Sequence, residues 1–255
     1  MSTEPDAKKF QRRLDARFDH KRVQKALIGS AIITLALYLI PFGRFVAYPM
    51  MLLSTMAHEM GHGFAAELMG GTFHKFEMFS NGSGVATSSG VAHGWRDAMV
   101  SAGGLIGPAL LAGLAFIFVR GPKRSRALVG LLGLVALAST VLVVRNVFGW
   151  VFVGAVAAVL LFVAFRRPSE DSQLVLAFLA VQLAVSVFSR GDYLFTEVAN
   201  TTRGPMPSDV AQMANALGGP YWLWGGLCGA ISVLVLGLGL WWALRTPKAA
   251  GWPAR

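Results

Sequence analysis

Acidic side chains are scarce in this sequence. Thirteen Asp and Glu stand against twenty-three Lys and Arg in 255 residues, a formal net charge of +10. Charge of either sign is also scarce, at 14%, where a soluble globular protein carries about 25%. With 55% of its residues hydrophobic, the chain lacks the polar surface needed to cover a water-soluble fold of this size. That excludes a soluble enzyme and an intrinsically disordered chain. The single cysteine excludes a disulfide-stapled secreted module: Cys228 has nothing to bridge with and, inside an apolar run, reads as a small core residue. No internal repeat is visible at any fixed period.

What the chain does have is apolar runs. A helix crossing the hydrocarbon layer needs about 17–25 residues of this kind. Candidate elements cover 26–42, 45–69, 98–119, 128–144, 147–165, 174–188 and 221–244. They are too long and continuous for the alternating strands of a barrel. The expectation is an all-α polytopic membrane protein with six or seven transmembrane helices. Residues 1–25 hold eight Lys/Arg and four Asp/Glu, and read as a basic cytoplasmic tail held near anionic lipid. Residues 26–247 then form one membrane-embedded domain, and 248–255 a short C-terminal tail. The lipid bilayer is the expected partner. Nucleic acid is not, because the tail lacks interleaved aromatics or a recognition motif. A cleaved signal peptide is not expected either, since the polar start is long and Leu39-Ile40-Pro41-Phe42 offers no small-residue cleavage site.

Basic clusters at Arg120–Arg126, Arg166-Arg167 and Arg245–Lys248 are separated by pairs of crossings and therefore share one side. The positive-inside rule makes that side cytoplasmic. The basic N-terminus joins them only if one of the first three apolar elements fails to cross fully. The element around His58 is the suspect, because polar groups there need a wet or protein-lined cavity.

That element carries His58-Glu59-Met60-Gly61-His62. On a helix, positions i and i+4 stand one above the other on the same face, so two imidazoles there can grip one metal ion. Glu59, about 100° around the helix, can reach water on that metal and act as general base. Zinc suits two nitrogen ligands, a third protein ligand and an open position for water. Ionisable residues inside an apolar segment are costly, which points to function rather than packing. The long soluble zincin signature is not met, since Ala65 and Leu68 occupy the positions where it demands Gly and His.

Ala57-His58-Glu59-Met60-Gly61-His62-Gly63, in an apolar helix followed by Gly70-Gly71 and a short polar hairpin, resembles the site-2 protease family. The likeness is closest to its compact bacterial subgroup, and covers the chain from about Phe45 to Leu244. It implies an intramembrane zinc metalloprotease with one Zn2+ per chain, bound by His58 and His62, with Glu59 as catalytic base. It also implies membrane-protein or membrane-associated peptide substrates, and a multi-pass protein of the bacterial inner membrane. The wider family takes its third ligand from Asn-Pro-Asp-Gly or Leu-Asp-Gly, and neither string occurs here. Among seven aspartates, Asp209 ranks first, because the compact subgroup has a similar Ser-Asp before a short helix. Asp192, at the end of an apolar run, is the alternative third ligand. Ser208 as N-cap with Asp209 in the first helical turn is the plain structural reading of the same residues.

Phe73–Phe79 approaches strand alternation and Asn81-Gly82 is a strong hairpin turn, so a short β-hairpin is expected near the active site. The resemblance implies that such a hairpin holds substrate extended, with Asn81 in its turn and Asn146 as substrate-positioning candidates. Arg145-Asn146 also reads simply as a tight turn between two helices. Glu77 is a remote candidate ligand. His74 and His93 read as loop histidines, and the glycines at 103, 104 and 107 as packing positions. The rival function is a non-catalytic membrane carrier or adaptor that retains a metal-binding motif. A transporter would favour repeats, which are absent.

Overall fold

A computed structural model describes residues 4–189, 194–201 and 204–245. Eight helices and two small hairpins follow one another as α1 (Glu4–Leu39), α2 (Gly43–Leu68), β1 (Thr72–Met78), β2 (Gly84–Ser89), α3 (Trp95–Phe118), α4 (Pro122–Leu142), α5 (Val147–Arg166), α6 (Ser169–Ser189), β3 (Val198–Thr201), β4 (Gly204–Pro207), α7 (Asp209–Leu217) and α8 (Tyr221–Leu244). The protein is an all-α polytopic membrane protein.

Five of these helices, α3, α4, α5, α6 and α8, are long and apolar enough to cross a bilayer. Of the apolar elements expected to cross, the one around His58, suspected in the sequence of not crossing fully, is α2, which is not among the five found in the described residues. In α2, His58, Glu59, His62 and Glu67 interrupt the apolar run. The five spanning helices show large apolar side chains on their outer faces, among them Leu110, Leu134, Val151, Phe162 and Leu234. Such a surface is stable only against lipid.

The helix ends follow local chemistry. Pro122 opens α4 after Gly121, where its missing N–H costs nothing. Asn146 caps α5 by accepting from Gly149 N, so the Arg145-Asn146 turn forms where it is expected. The three basic clusters do share one end of the bundle. Arg120 donates to the carbonyls of Trp242 (3.1 Å) and Arg245 (2.9 Å), and Arg126 donates to that of Arg167 (2.6 Å).

α3 is the hub, packed by α2, α6, α7 and α8. Its glycines permit this. A Cβ on Gly61 of α2 would lie 2.3 Å from the Gly103 carbonyl oxygen, and one on Gly239 of α8 would lie 3.0 Å from Gly113 Cα. Close backbone approach of this kind is the usual solution where helices meet without water to drive them together.

β1 and β2 pair antiparallel around the Phe79–Ser83 turn, with Gly82 at φ 87°. This hairpin lies along α2, which holds it by side chains. Tyr48 donates to Ser80 O (2.6 Å), Thr55 donates to Gly82 O (2.7 Å), and Glu67 accepts from Phe73 N (2.6 Å). On its far side, Phe76 exchanges main-chain bonds with Val143 and Arg145 of the α4–α5 turn. The second hairpin, β3–β4, falls in the polar connection before α7, where no strand pattern is visible in the sequence.

Candidate metal centre

Packing delivers three ligand atoms to one point. His58 and His62 stand on one face of α2, against α3. α7 docks on α3 through Val210 and Met213, which join Ala98, Ala102, Leu105 and Cys228 in one buried cluster. Ser208 caps α7 by accepting from Ala211 N at 3.2 Å, and this fixes Asp209 in the first turn, buried and facing the histidines.

His58 Nε2 lies 3.2 Å from His62 Nε2, and 3.2 Å from Asp209 Oδ2. His62 Nε2 lies 3.4 Å from Asp209 Oδ1. A tetrahedral zinc site with arms of about 2.0–2.1 Å has edges of roughly 3.3–3.4 Å. The three residues form a triangle in which Asp209 meets the two rings through different oxygens; each contact is near the edge of a zinc tetrahedron, and one ligand atom from each residue lies within 4.8 Å of the others. Among the described residues, these are the three His, Cys, Asp or Glu side chains that converge closely enough to hold a metal.

The donors also face the right way. His62 Nδ1 lies 2.8 Å from the Val100 carbonyl, which can only accept. Nδ1 therefore carries the hydrogen, and the Nε2 lone pair points into the triangle. Gly104 makes room for that ring: a Cβ there would lie 2.2 Å from His62 Nε2. Asp209 Oδ2 is buried and, among the described residues, makes no well-angled hydrogen bond, with the His58 ring 3.2 Å away, as suits an oxygen that would bind a cation. Two imidazole nitrogens and a carboxylate oxygen are a donor set that suits a zinc ion.

Glu59 sits on the adjacent face of α2, toward the hairpin. Its Oε2 accepts from Ala86 N of β2 at 2.7 Å. Asn146 does not join the cluster: its amide exchanges two bonds with the main chain of Met78, accepting from N (3.1 Å) and donating to O. Asn81 stays in the turn, where its Oδ1 accepts from Ser83 N (3.0 Å) and Ser83 Oγ (2.7 Å). Glu77 is paired with Lys75 at 3.0 Å, and His74 is bonded to Ser89 Oγ at 2.5 Å. Asp192, the alternative ligand, lies outside the described residues. Sequence reasoning missed Val100, Gly104 and Ala86. Two of them act through main-chain atoms and the third through having no side chain, so residue type carries no signal for them.

A bundle of spanning helices that brings two histidines and an aspartate together at one point could hold a metal ion within the membrane. The sequence model described as "Peptidase M50B-like" matches residues 28–239, and the chain belongs to that family, the site-2 protease family. It is a metalloprotease family, generally zinc-dependent. No curated protein and no solved structure matches the chain.

Proposed function

We propose that the protein is an intramembrane zinc metalloendopeptidase that cleaves membrane-embedded or membrane-associated polypeptides. The observation that carries this is the convergence of His58 Nε2, His62 Nε2 and the two carboxylate oxygens of Asp209, in contact at 3.2–3.4 Å. In this reading these residues are the three protein ligands of one zinc per chain. A zinc ion held there supplies Lewis acidity, polarising a peptide carbonyl and lowering the pKa of water.

The protein's own residues do the rest. Glu59 takes the proton from the attacking water on a carboxylate oxygen, then delivers it to the nitrogen of the departing amine. The Val100 carbonyl keeps His62 in the tautomer that offers Nε2. The β1–β2 hairpin, anchored along α2, lies close enough to the site to hold a substrate extended beside it. In this account Asn146 serves the substrate indirectly, by fixing the Met78 end of β1. The shared basic end of the bundle favours the cytoplasmic side of a bacterial inner membrane.

The test is metal content and cleavage measured together. Purified protein should carry one zinc per chain, and His58→Ala, His62→Ala and Asp209→Ala should lose it. Glu59→Gln should keep the zinc and lose cleavage of a membrane-embedded substrate. A protein that binds no zinc, or a Glu59→Gln variant that still cleaves, overturns the reading.

A further inference from the structure

The Glu59 carboxylate is asymmetric in its bonding. Oε2 accepts the Ala86 N–H at 2.7 Å, while Oε1 makes no hydrogen bond among the described residues. The donor is available for a reason that lies in the strand register. Phe76 and Ala86 face each other across β1 and β2. Phe76 N donates to Val143 O (2.7 Å) and Phe76 O accepts from Arg145 N (3.1 Å), so both of its main-chain groups point away from β2. Phe76–Ala86 is thus a non-hydrogen-bonded pair, and the Ala86 N–H points outward, toward α2. The approach is tight: a Cβ on Gly84 would lie 2.7 Å from Glu59 Cγ and 2.8 Å from Thr55 Cγ2.

We infer that the Ala86 N–H is a positioning group for the general base: it pins one oxygen of Glu59 and leaves the other to take the proton from water. This rests on the reading of Glu59 as base. Tyr48, Thr55 and Glu67 already hold the hairpin against α2 at Ser80, Gly82 and Phe73. A fourth anchor at Ala86 adds little to the hairpin's attachment. For Glu59 it fixes a carboxylate that would otherwise swing through several rotamers, and fixed geometry is what proton transfer rewards. The same bond occupies the outward donor of β2, so a substrate strand cannot pair at Ala86 while the base is in place.

Two variants of the full-length protein test this. Ala86→Pro removes the N–H without breaking a ladder bond, and its ring Cδ also pushes Glu59 Oε2 from its place 2.7 Å from that nitrogen. A second variant carries lactic acid at position 86, which replaces N–H by an ester oxygen without added bulk. The readouts are zinc content, kcat and KM for a quenched-fluorescent apolar peptide in micelles, and the carboxylate stretch of Glu59 in metal-free protein, assigned by difference from Glu59→Gln. Both variants should keep their zinc, lose roughly tenfold or more in kcat with KM within about twofold, and shift the carboxylate band. A raised KM with kcat unchanged would make Ala86 a substrate-docking edge and overturn the inference. So would unchanged kinetics, or loss of zinc in the ester variant, which would make Ala86 a mere support of α2. Failure of the protease reading shows separately, as wild-type protein without zinc or Glu59→Gln that still cleaves.

Discussion

Gly104 of α3 and His62 of α2 are packed so closely that a Cβ at 104 would fall 2.2 Å from the His62 Nε2 atom. Gly104→Ala should therefore displace the imidazole without disturbing any spanning helix. The expected outcome is a folded, membrane-inserted protein with sub-stoichiometric zinc by atomic absorption. Zinc content equal to wild type would show that the ring has room to spare.

Asp209→Asn should weaken zinc binding by more than about 100-fold, beyond the 10–100-fold typical of residues that only support a ligand. Asp97→Asn is the matched control. It lies in the first turn of α3 and outside the convergent trio, so its zinc affinity should equal that of wild type. Competition with a chromophoric chelator measures both.

Ser208→Ala removes the hydroxyl that accepts from Ala211 N, a loss of about 1 kcal/mol in cap energy. Because α7 has only nine residues, fraying at its start moves Asp209 directly. Zinc affinity should fall even though Ser208 touches no metal, and Ser208→Thr should restore it. Equal affinity in Ser208→Ala would mean that packing of Val210 and Met213 holds α7 unaided.

Asn146→Ala removes two bonds to Met78 and the cap of α5. About 1–3 kcal/mol of stability should go, read as a lower thermal midpoint in detergent. Zinc should stay bound, because no ligand depends on that turn. Protease nicking within Phe79–Ser83 should become faster.

The parts of the site that were legible in the sequence are those with a spacing rule. His58 and His62 are one helical turn apart, Asn81-Gly82 is a turn pair, and Ser208-Asp209 is a helix start. The apolar runs located each of the five spanning helices, though α4 and α6 begin six and five residues earlier than their runs, and the run at 221–244 coincides with α8. Crossing number was less legible, because apolar length and the polar groups inside α2 pull in opposite directions, which left that element as the suspect. The β3–β4 hairpin was invisible. Its strands are four residues each, and β4, Gly-Pro-Met-Pro, has no alternation to read. Gly104 looked like any packing glycine, since a void shaped for an imidazole leaves no trace in one chain's sequence.

α2 carries the hairpin anchors Tyr48, Thr55, Glu59 and Glu67 on the same rod as His58 and His62. It therefore works as a ruler: when a thinner or thicker bilayer tilts the bundle, the spacing between hairpin and imidazoles travels with one rigid body. Asp209 has no such guarantee, because it arrives on a separate short helix, α7, and meets the histidines through that helix's contacts with α3 and α8. Membrane strain should accordingly be felt first at the carboxylate, and lipid chain length becomes a lever on metal retention before it becomes one on the hairpin's alignment.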